Sequence, residues 1–157
     1  MGRNKNKVIH LFRVRDTLVP YSMTMNTQFV DFFEDWALVN KYALISDRNI
    51  QALKNNIPES ILFNSEYTFI NGGETVTQLR GKKTMRSVGY PKPYESLHDL
   101  IHFLLLEYNN INYFSPNSSD PIFHILDQLT GHRHFAIDEW KDTALFLKQL
   151  HWDLANA

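Results

Sequence analysis

The sequence predicts an α+β fold, with about five helices packed on a small, mostly antiparallel sheet in one domain over 1–157. Three observations predict it. The chain has 157 residues, 43% hydrophobic and 13% aromatic, enough for one continuous core. Apolar residues recur at helical spacing near both ends and at alternating spacing in the middle. Two strand-like runs near 67–79 flank Asn71-Gly72-Gly73-Glu74, a turn of residues that accept positive φ, so a β-hairpin is expected there.

Each element has a local reason. Residues 8–15 (VIHLFRVR) mix β-branched and aromatic residues and read as an early strand. Over 27–41, Phe29, Phe33, Trp36 and Ala37 share one face of an amphipathic helix. Ser46 caps a short helix over 47–55, with Ile50 and Leu53 turned inward and Pro58 beyond its end. After the hairpin, residues 80–93 form an exposed basic arm punctuated by Gly and Pro, with a short strand near 85–88. Tyr94, Leu97, Ile101, Leu104 and Tyr108 mark a largely buried helix. Asp120 caps a helix whose first residue is Pro121, and Gly131 ends it. Asp138 caps a last helix striped by Trp140, Ala144, Leu147, His151 and Leu154, with Glu139 where the helix dipole favours an anion.

The net charge of −1 is a cancellation. Residues 1–15 carry five bases and no acid, and residues 80–92 repeat that balance. Residues 16–79 carry eight acids against three bases, and residues 93–157 nine against three. Blocks of alternating sign either neutralise one another within the fold or select a charged partner. With no cysteine, the chain is not a disulfide scaffold, zinc ribbon, iron–sulfur protein or cysteine-nucleophile enzyme. No signal peptide or spanning segment is visible, so a cytoplasmic location away from membranes is expected.

Four groups of residues carry candidate chemistry. His98 and His102, four apart on one helix face, suit two ligands of one metal ion, with third ligands drawn from His132, His134 or Asp99. Such a site would support a metal-dependent hydrolase. The bland alternative is histidines making ordinary hydrogen bonds. His132 and His134 also share a face of an extended segment. Arg80, Lys82, Lys83 and Arg86, with Tyr90 as a stacking face, are the best candidate for nucleic-acid contact, an alternative that the neutral whole makes secondary. Asp31, Glu34 and Asp35 stand beside Phe32, Phe33 and Trp36, and Asp138, Glu139 and Asp142 open the last helix. Adjacent helical carboxylates splay apart and suit a protein contact better than paired acid–base work. No G-x-S-x-G, Walker A or G-x-G-x-x-G motif is present.

The tail from Ala136-Ile-Asp-Glu-Trp140 through Leu150 is similar to the terminal segment of small bacterial immunity proteins paired with contact-dependent growth-inhibition toxins. That resemblance implies a protein that is not an enzyme and takes no cofactor. It would neutralise a cognate toxin, a nuclease by expectation, by direct binding; acid at helical spacing beside aromatic anchors, rather than the resemblance, makes Asp31, Glu34, Asp35, Asp138, Glu139 and Asp142 the expected contact residues. The oligomeric state is left open.

Overall fold

Strand β1 (Val8–Arg13) is the middle of a sheet ordered β5-β4-β3-β2-β1-β6-β7. The computed structural model of the chain describes residues 7–20, 23–70, 75–78, 86–89 and 93–155, with side chains over 7–20, 23–70 and 97–149. Strand β1 is flanked in parallel by β2 (Lys41–Ile45) and β6 (Asn110–Ser115), with Leu11 opposite Ala43 on one side and Tyr113 on the other. Strands β3 (Thr68–Ile70) and β7 (Arg133–Ala136) extend the parallel set outward. Strands β4 (Thr75–Gln78) and β5 (Arg86–Gly89) pair antiparallel beyond β3.

The expected α+β class with a mostly antiparallel sheet is therefore wrong: five adjacent strands run parallel, and the fold is α/β. Short, continuous apolar runs are characteristic of parallel strands buried on both faces, and they lack the alternation that announces a half-exposed strand. Tyr42-Ala-Leu-Ile45 and Ile111-Asn-Tyr-Phe114 are such runs, and each has a side chain buried toward each face.

Helices cover both faces. On one, α2 (Thr27–Trp36), α3 (Ile50–Lys54), α4 (Glu59–Asn64) and α7 (Trp140–Ala155) pack on Phe12, Tyr42, Leu44 and Phe114. Phe12 stacks on Phe114 at 4.8 Å between centroids and meets Phe33 and Trp36 edge-on. On the other, α5 (Pro93–Leu104) and α6 (Pro121–Asp127) pack on Ile9, Leu11, Ile45, Ile111 and Tyr113. Asn26 caps α2 by accepting from Gln28 and Phe29. The helix expected over 47–55 is shorter: Asn49 caps α3 through Ala52, while Ser46 follows the end of β2. The segment around His132–His134, expected as a connector, enters β7.

Gly131 has φ +87°, and a Cβ there would lie 2.9 Å from the Asn110 side-chain nitrogen. It sits beyond the end of α6, in the turn that admits β7. The basic arm residues Arg80, Lys82, Lys83 and Tyr90 lie outside the described residues, as does the side chain of Arg86 in β5. Among the described residues, no helix is long and apolar enough to cross a membrane.

Candidate functional site

After β1 the chain moves outward through β2 and β3 on one side, then returns to β6 and β7 on the other. Neighbouring connections therefore part between β1 and β6, and open parallel sheets bind ligands at the carboxyl ends of strands around such a switch point. Three loops meet there: the short turn α1 (Val14–Thr17) with Leu18–Pro20, the turn Ser46–Asn49, and Pro116–Asp120.

Arg13, the last residue of β1, lies at their centre, its side chain 16% exposed. Its Nε donates to the Tyr113 hydroxyl at 2.9 Å and to Asp120 Oδ2 at 2.8 Å, and its Nη1 donates to Asp47 Oδ1 at 3.3 Å. Asp120 is buried and doubly used. Oδ1 accepts the Ile122 amide as the helix cap; Oδ2 also accepts the Tyr113 hydroxyl at 2.5 Å and the Ser115 hydroxyl at 2.8 Å. Burial alone would push this carboxyl up. The Arg13 charge and the bonds from Tyr113, Ile122 and Ser115 outweigh it and hold Asp120 below the ordinary carboxylate range. Burial likewise opposes the Arg13 charge, and Tyr113 and Asp120 more than restore it. Burial pushes the Tyr113 phenol up, with Asp120 adding to it against the opposing Arg13. Asp120 is thus fully occupied as a counter-ion and cap, which leaves it poorly placed to act as a nucleophile or base.

Arg13 separates two compartments. A small one, of about 60 Å³, is lined by Val14, Val19, Pro20, Leu53, Ser46 and Arg48 together with Arg13, Arg15 and Asp47. That volume holds about four waters or one phosphoryl-sized anion. Arg48 is held across it: its Nη1 donates to Asn56 Oδ1 at 2.8 Å, and Asn56 in turn donates to the Met23 carbonyl at 2.7 Å. A wide compartment of about 600 Å³ is lined by Arg13, Arg15, Asp16, Asp47, Leu97, Asn117 and Asp120. Asp16 has φ +69°, the left-handed region that a non-glycine residue enters at a cost on the order of 1 kcal/mol. Its amide donates to the Val19 carbonyl at 2.7 Å, closing the loop that presents the carboxylate.

The sequence-predicted residues are dispersed. Asp31, Glu34 and Asp35 are exposed on α2 and Asp142 on α7, away from both compartments. Asp138 and Glu139 border a separate groove with Asp16 and Trp140. His98 and His102 lie on α5, half-buried and exposed respectively. His132 accepts the Ile111 amide, and His134 bonds Asp127 at 2.7 Å while stacking on Phe123. Among the described residues, no three His, Asp or Glu side chains are grouped to hold a metal ion. Part of the charge segregation is neutralised internally, since Arg13 of the first basic block pairs with acids of both acidic blocks.

No protein-family model matches the sequence, and no curated protein does. Solved structures do. A structure titled as a trehalose-6-phosphate phosphatase related protein matches with a TM-score of 0.58 at 9% identity, over 95% of this chain and 99% of that one. The IMP-nucleotidase of Plasmodium falciparum matches with a TM-score of 0.41 at 11% identity, over 60% of this chain. A Eubacterium rectale protein matches with a TM-score of 0.43 at 15% identity, over 87% of this chain and 52% of that one. This chain spans about a quarter of the length of the Plasmodium enzyme. The first of these fixes the shared architecture, a parallel α/β sheet. It overturns the immunity-protein reading of the tail, together with the expectations of a toxin inhibitor and of a chain that is not an enzyme. The tail is an ordinary amphipathic helix, α7, whose Ala144 and Leu147 close one face of the sheet.

Proposed function

We propose that this chain is a hydrolase of phosphate monoesters, with the crevice around Arg13 as its site. The observation that carries the reading is the placement of Arg13, Arg15 and Arg48 around a phosphoryl-sized cavity at the switch point of a parallel sheet. The shared architecture with a structure titled as phosphatase-related supports it. The hydrolase class anticipated for His98 and His102 is retained, but neither histidine lines the crevice.

The phosphoryl group enters the small compartment and the alcohol portion the wide one. The scissile P–O bond then lies where the two meet, beside Arg13, Arg15 and Asp47, which line both. A water oxygen forms the new bond to phosphorus as the ester P–O bond breaks. Asp47, exposed and held by Arg13, accepts the water proton, and the departing alkoxide takes a proton from solvent water in the wide compartment to leave as the alcohol. The arginines stabilise charge on the phosphoryl oxygens.

Release of inorganic phosphate from a panel of monoesters, including p-nitrophenyl phosphate, tests this with and without added divalent cations. Turnover inhibited competitively by inorganic phosphate is expected, with kcat/KM lowered on the order of 100-fold in Arg13→Met. No release above blank, together with no thermal shift in millimolar phosphate, would sink the proposal.

A further inference from the structure

The crevice is electrically polarised along its length. Of the two compartments, Arg48 lines only the small one, and Asp16 and Asp120 only the wide one; Asp16 also borders the groove with Asp138 and Lys141. Asp120 is committed to Arg13, Tyr113, Ser115 and Ile122. Asp16 pairs with Arg15 at 3.9 Å, a pair 61% and 37% exposed and therefore weak. A left-handed backbone, pinned by the Asp16 amide to the Val19 carbonyl, turns this carboxylate into the wide compartment.

From this juxtaposition we infer that the substrate is the phosphate ester of an amino alcohol: its phosphoryl group sits among Arg13, Arg15 and Arg48, and its ammonium faces Asp16. This rests on the phosphate-monoester reading and narrows it. A second anion on the alcohol portion would face Asp16 and Asp47 and be repelled.

Calorimetric titration of the intact chain with inorganic phosphate, O-phosphoethanolamine, glycerol 1-phosphate, 3-phosphoglycerate and AMP tests it. O-Phosphoethanolamine should bind at least tenfold more tightly than the other three esters. Asp16→Asn keeps the shape of a side chain that tolerates positive φ, and should reduce that advantage below threefold without abolishing phosphate binding. Asp16→Gly, which relieves the backbone, should do the same. If glycerol 1-phosphate, 3-phosphoglycerate or AMP matches O-phosphoethanolamine, or if both variants keep the full preference, the inference fails and the phosphate-monoester reading stands. If inorganic phosphate itself does not bind, both fail.

Discussion

Removing both members of the Arg13–Asp120 pair should cost far less than the sum of removing each alone. Asp120→Asn preserves the side-chain shape and the oxygen that caps α6, but leaves Arg13 buried opposite a neutral amide. Breaking a buried pair costs about 3–5 kcal/mol. Because the Arg13 side chain keeps 16% exposure and a second contact to Asp47, the lower end, about 3 kcal/mol, is expected. Arg13→Met removes the cation but leaves Asp120 with three neutral donors, so about 2 kcal/mol is expected. The double variant buries neither charge and should cost little more than the worse single one, a coupling on the order of 2 kcal/mol. Urea unfolding at pH 7 of all four proteins measures this. The depressed Asp120 carboxyl stabilises the fold above the ordinary carboxylate range, and this contribution is lost as pH falls through its lower native value. Asp120→Asn should therefore flatten the acid limb of the stability curve. Coupling below about 0.5 kcal/mol, with an unchanged acid limb, would refute the reasoning.

Three further outcomes follow from the packing. His10 is 5% exposed against Trp36 and Phe114, and burial lowers it to about 4. The unfolded chain takes up this proton below pH 6.5 and the fold does not, so stability should fall by about 3 kcal/mol between pH 6.5 and 4. His10→Phe should remove most of that slope in urea titrations. Gly131→Ala should lower stability by about 1–2 kcal/mol, because the residue needs φ +87° and its Cβ would crowd Asn110; thermal melts read this. Phe12→Ala should cost about 3–5 kcal/mol in urea unfolding, since Phe12 is fully buried among Phe33, Trp36 and Phe114.

Much of the helical framework was legible because its signals are local. The Phe29, Phe33 and Trp36 stripe, the Asp120 cap before Pro121, and the turn between β3 and β4 each lie within a few residues of what they specify. The central sheet was not legible in the same way. Tyr42–Ile45 and Ile111–Phe114 owe their strand identity to partners found far along the chain, and their apolar runs fit a buried helix turn equally well. The site was hidden with them. Arg13 reads as one more base in a basic block, and Asp120 as a helix cap. The sequence signal that marks them is a polar residue directly ending an apolar strand run, as in Phe12-Arg13 and Phe114-Ser115. That signal points to a ligand only when the strands are known to run parallel. The carboxylates of α2 misled for the complementary reason, since acid at helical spacing is also what any solvated helix face displays.

The sheet order also governs when the crevice comes into being. The two residues at its centre are 107 positions apart, and β1 takes its second parallel neighbour only from residues 110–114. During synthesis, a nascent chain that ends before Asp120 has β1, β2 and α2 but holds an Arg13 with no buried counter-ion. Closing so long a loop is slow, and topologies dominated by distant pairings fold late. On the phosphate-monoester reading, phosphate affinity should therefore appear only late in folding, once the cap of α6 has brought Asp120 to Arg13.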